Sequence, residues 1–148
     1  MVSALIAGMP QKLEQMDVFL KARDFSVAVT AIVERPVFEK NHKLKVQIAE
    51  ANESILSNMA EGFEQSTDAA LARYLYIAKG SVAEVVTRLK SAHRRGWLTT
   101  AECTRCATAG DEIARMLGGW IEHLARCDWK DRGRHNARIS KKTRDATD

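Results

Sequence analysis

Proline occurs only twice and aromatic residues make up 6% of the chain, while no apolar run reaches the ~18 to 20 residues that a membrane-crossing helix needs. Scarce proline leaves long stretches free to be helical. Three cysteines, Cys103, Cys106 and Cys127, are an odd number and argue against a disulfide framework. The opening MVSALIAGMPQK has no positive region before its short apolar stretch, so no export signal is expected and the protein is expected to be cytoplasmic, away from membranes. Also missing are a glycine-rich phosphate loop, a nucleophile elbow and a Cys/His dyad. Glu61 and Glu84 invite comparison with a bundled di-iron site, but such sites use two Glu-x-x-His pairs and the sequence has a single one, Glu39-x-x-His42. Neither an enzyme nor a cofactor is expected.

Charge is present in both signs, and its distribution matters more than its +4 total. From Asp128 to Asp148 seven Lys or Arg face four Asp, a balance of +3; residues 1–127 hold 16 basic and 15 acidic groups, only +1. That segment has one large aliphatic residue, Ile139, and is expected to be a flexible basic tail, residues 128–148.

What remains reads as helix, in one domain over residues 1–127. Val18, Ala22, Phe25, Val29 and Ile32 recur at spacings of three and four, predicting a helix over about 13–35 that Pro36 stops. A second stripe, Leu44, Ile48, Ala51, Ile55 and Met59, predicts a helix over about 42–65, with Ser66 or Thr67 capping the next. Leu71, Tyr74, Leu75, Ala78, Val82, Val85 and Leu89 mark a third, about 67–95, which His93, Arg94, Arg95 and Gly96 end. Thr99 to Glu102 forms a capping box for a fourth, about 99–127, whose inward side carries Cys106, Ile113, Leu117 and Trp120. Four amphipathic helices on short links predict an all-α, antiparallel up-down-up-down four-helix bundle.

Two features inside that pattern are unusual. Gln47, Ser54, Asn58, Glu61 and Gln65 form a stripe of amides, a hydroxyl and a carboxylate, types that need specific hydrogen-bond partners. Gly80 sits mid-helix at a cost of about 1 kcal/mol against alanine, which predicts close backbone approach by a neighbour. The run Gln47…Ser54-Ile55-x-x-Asn58-Met59-Ala60-Glu61-Gly62, followed by Tyr74-Leu75-x-Ile77-Ala78-x-Gly80-Ser81-x-x-Glu84, resembles proteins encoded by intervening sequences of bacterial 23S rRNA genes. The resemblance extends from about Leu13 to Leu124. Its last part, Met116-Leu117-Gly118-Gly119-Trp120-Ile121, also looks like the accessory variability determinant of diversity-generating retroelements, a bundle that works with a reverse transcriptase and template RNA. The resemblance implies a homo-oligomeric ring of five bundles with a basic surface for nucleic acid.

The expected function is therefore a non-enzymatic oligomeric scaffold binding RNA or an RNA-protein complex. Arg94, Arg95, Lys130, Arg132, Arg134 and Arg138 are the expected phosphate contacts, because counterion release requires charge density and little geometry. Gln47, Ser54, Asn58, Glu61, Gly62, Gly80, Ser81, Glu84 and Trp120 are expected to hold the bundle or its interface, with Glu61 in a network with Asn58 and Ser81. Trp97 and Trp120 are expected to be packing residues, and Gly118 and Gly119 close-contact positions. Two alternatives stand beside this function. One is a protein adaptor, such as a reverse-transcriptase accessory protein, without RNA binding of its own; the other is a metal site built from Cys103, Cys106 and their symmetry mates. The expected state of those two thiols within one chain is simple burial.

Overall fold

The computed structural model describes residues 12–126. Its regular structure is four α-helices, α1 (Asp17–Val33), α2 (His42–Phe63), α3 (Asp68–Arg94) and α4 (Thr100–Arg126), with 3-10 helices at Leu13–Gln15 and Pro36–Asn41 and no strand among the described residues.

The ends of the helices follow from local chemistry. Asn41 accepts a hydrogen bond from the Leu44 amide at 3.0 Å and Thr67 one from Ala70 at 3.1 Å, each satisfying an amide that has no partner in the first turn. Arg35 is extended, as the residue before a proline prefers, and Pro36 opens the 3-10 link. Gly96 takes φ 78° and lets the Trp97 amide turn back to the Ala92 carbonyl at 3.1 Å. The capping box is reciprocal: Glu102 accepts from the Thr99 amide at 2.9 Å and Thr99 Oγ1 from the Glu102 amide at 3.1 Å. One boundary differs from the sequence pattern. The first helix starts at Asp17, because Met16 is extended; Leu13 and Met16, each 5% exposed, instead fold over to close the core.

Each helix packs on its sequence neighbours, and α1 closes against α4. The pairing is antiparallel: Gly62 meets Tyr74, Ser54 meets Ser81 and Gln47 meets Arg88, numbers falling along α2 as they rise along α3. Gly110 against Val86 and Gly118 against Lys79 set the same relation for α3 and α4. Ile48, Ile55, Met59, Leu75, Val82, Val85, Leu89, Ile113 and Leu117, all at 1% exposure or less, fill the centre. Cys103 and Cys106 are buried free thiols.

Arg35 ties the first link to the start of α4 by a two-pronged pair with Glu102, at 3.1 and 2.5 Å. The guanidinium's hydrogen bond, then the Thr99 amide, lower the Glu102 pKa from 4.5 to about 2. Since the folded value lies below the unfolded one, this contribution to stability is complete above pH 4.5 and is lost as pH falls towards about 2. Thermal melts in acid should show that loss, and Glu102→Gln should flatten it.

The glycines separate into two kinds. A Cβ on Gly62 would lie 2.7 Å from the Tyr74 Cβ, and one on Gly110 2.6 Å from Val86 Cγ2, so both let neighbouring helices touch. Gly80 corrects the expectation of close approach, since nothing among the described residues lies within 4 Å of its missing Cβ. Gly80→Ala is therefore expected to stabilise the isolated fold by about 0.5 to 1 kcal/mol, through helix propensity alone. Gly62→Ala should lower the melting temperature, because overpacking costs about 1 to 3 kcal/mol and exceeds that gain. A loss of stability in the Gly80 variant would mean that another chain packs on this position.

Candidate nucleic-acid interface

Because the bundle runs up-down-up-down, its first and third links share one end. The Arg35–Glu102 pair joins them, and Phe38 of the first link meets Trp97 of the third with ring centroids 5.3 Å apart at 63°. Residues 34–45 and 90–105 together carry eight Lys or Arg (Arg35, Lys40, Lys43, Lys45, Lys90, Arg94, Arg95, Arg105) against Glu34, Glu39 and Glu102, a balance of +5. The charge of residues 1–127 is +1, so the rest of that stretch is −4 and the bundle is electrically lopsided.

Two of those cations are already neutralised, Arg35 by Glu102 and Lys45 by Glu39. Lys40, Lys43, Arg94 and Arg95 are exposed and have no ion pair among the described residues. Arg95 lies instead over the Trp97 ring, 5.4 Å from its centroid. Exposed cations with no carboxylate are the kind that displace counterions from a phosphate backbone.

Arg94 and Arg95 are the expected phosphate contacts that the structure places at this end, whereas Lys40 and Lys43 were not singled out from sequence. Only the topology brings them to the same end. Arg88, by contrast, is engaged within the fold, donating to Gln47 Oε1 at 2.8 Å and to Glu84 Oε1 at 3.0 Å. Lys130, Arg132, Arg134 and Arg138 lie outside the described residues.

The amide and hydroxyl stripe divides in the same way. Ser54 and Ser81 hydroxyls meet at 2.8 Å across α2 and α3, and Asn58 Nδ2 donates to the Ser54 hydroxyl at 2.8 Å and its carbonyl at 2.7 Å. Glu61 is not in that network: it is exposed, and its carboxylate and backbone carbonyl accept from Gln65 Nε2, one turn on, at 3.4 and 3.1 Å. Trp120 packs in the core at 7% exposure. Gly118 lies 3.4 Å from the Lys79 ammonium by its would-be Cβ and Gly119 meets nothing, so both line an open groove between α3 and α4 of about 720 Å3 with Asp111, Arg115 and Glu122.

A closed antiparallel four-helix bundle with one basic end is the class of protein these features define. The family model of the 23S rRNA-intervening sequence protein matches residues 14–119, and the chain belongs to that family. A crystal structure of a protein with unknown function from the S23 ribosomal protein family of Bacteroides thetaiotaomicron VPI-5482 has the same fold. It superposes with a TM-score of 0.66 at 23% identity, over 70% of this chain and 97% of that one. No curated protein matches the sequence.

Proposed function

We propose that the protein is a non-enzymatic homo-oligomeric scaffold that binds RNA, or an RNA-protein complex, through the basic end of its bundle assisted by the basic tail. The observation carrying this is the convergence of Lys40, Lys43, Arg94 and Arg95, exposed and without an ion pair among the described residues, from two links distant in sequence. Binding would be electrostatic and tolerant of sequence, since phosphates are neutralised without base-edge contacts. Repetition in an assembly multiplies weak patches, because each further contact becomes intramolecular. A ring of five is the assembly that the resemblance implies. Tyr76 and Ile77, 68% and 45% exposed beside Gly80 and Ala83 on the outward side of α3, are apolar surface that an assembly would cover. That same face favours a second reading, a protein adaptor that needs a partner such as a reverse transcriptase before it engages RNA.

Native mass analysis distinguishes them, using the full chain and a truncation after Cys127, with and without bulk cellular RNA, at ~50 and ~200 mM salt. Multi-copy particles that capture RNA at low salt and release it steeply at high salt are expected. Particles that ignore RNA in both forms would leave the adaptor.

A further inference from the structure

We propose that Trp97 is a stacking platform for an unpaired nucleobase at the basic end, with Arg95 leaving its place over the ring for the phosphate beside that base. This rests on the RNA-binding function above and adds a preference for single strands over duplex.

Trp97 is held from two sides before any ligand arrives. Its amide is tied to the Ala92 carbonyl at 3.1 Å through the left-handed turn at Gly96, and its ring stands edge-on to Phe38, which is fully buried. A ring so fixed loses little freedom on binding, which is what makes rigid aromatics effective contacts. Yet Trp97 is only half-buried, and what stands over its ring is the Arg95 guanidinium, a planar cation without a carboxylate partner among the described residues. A nucleobase stacks on the same kind of surface, and every base offers such a face, so the site needs no particular sequence. Arg95 then moves from one weak cation–π contact to a charge-assisted contact with phosphate, with Arg94 one residue away and Lys40 and Lys43 on the adjoining link. Bases inside a duplex are already stacked and paired, and cannot reach the ring without being unstacked.

Tyr76 is the better exposed aromatic but lacks this setting. It lies 18 residues before Arg94 along α3, about 27 Å by helical rise, away from the unpaired cations of the basic end.

The test uses full-length protein carrying Trp129→Phe, so that emission comes from Trp97 and the core Trp120. It is titrated at ~50 mM salt with an oligouridylate of about 12 nucleotides and with an RNA duplex of the same length. Saturable quenching by the single strand, tighter binding of it by roughly tenfold and binding of duplex without quenching are expected. Adding Trp97→Leu, with retained helicity as control, should remove the quenching and the tenfold preference while leaving duplex affinity unchanged. The quenching arm keeps the native residue at 97 and does not depend on how that variant folds. Equal affinity for both RNAs with no quenching would overturn the stacking site and leave phosphate binding intact. Failure of both RNAs to bind would overturn both proposals.

Discussion

Replacing Lys40, Lys43, Arg94 and Arg95 together by glutamine is expected to weaken binding of single-stranded RNA by roughly a hundred- to a thousand-fold at ~0.1 M salt. Each phosphate neutralised on a single strand adds about 0.7 to the slope of log affinity against log salt, so four add about 2.8 per decade of salt. All four side chains are exposed and make no ion pair among the described residues, so each substitution should move stability by only about 0.5 kcal/mol, Arg95 also giving up its weak contact over Trp97. Little-changed melting with lost RNA affinity is thus the expected pair of results, read by thermal melts and filter binding. Neutralising Arg88 should behave differently. It holds Gln47 and Glu84 across α2 and α3, and its removal leaves those partners unmatched.

The largest expected loss of stability comes from Phe38→Ala, at about 3 to 5 kcal/mol. Phe38 has no exposed surface and is the buried anchor of a link that otherwise consists largely of charged residues. Truncation would leave a cavity between the link and Trp97, which the short 3-10 segment Pro36–Asn41 is too constrained to fill by moving. Against the roughly 5 to 15 kcal/mol that holds a typical domain together, this is a large fraction. The melting temperature should fall by about 10 °C or more. Phe38→Leu should cost less, because it keeps most of the apolar volume. The Trp97 ring would also lose its edge contact in the alanine variant, so single-strand preference should weaken together with stability.

The four helices were legible because their signals agree: stripes at helical spacing, Ser66 or Thr67 before the third helix and the Thr99–Glu102 box before the fourth, Pro36 and Gly96 at the stops. The start of α1 was misplaced although the phase told against it: Leu13 and Met16 lie five and two residues before Val18, about 140° and 160° round a helix from its stripe, so their burial requires the extended Met16. Gly80 illustrates a second limit. A mid-helix glycine signals close approach only if it lies on the buried stripe. Gly80 falls outside the run Leu75, Ala78, Val82, Val85, whereas Gly110 falls among Cys106, Ile113 and Leu117 and meets Val86. Its phase within the stripe carried the information that its presence alone did not. Glu61 failed for a related reason, spaced for the Ser54–Asn58 network yet turned outward beside Gly62. Half of the basic end was visible as Arg94 and Arg95. Lys40 and Lys43 required the parity of the bundle, in which alternate links share an end.

The most direct measurement is RNA affinity of the chain truncated after Cys127, at ~50 and ~200 mM salt, which asks whether the bundle's own basic end carries binding. Four phosphate contacts predict binding at low salt and a fall of about 50-fold across that interval, abolished by the four glutamine substitutions. Absence of binding at low salt, or an affinity indifferent to salt and to those substitutions, would contradict it.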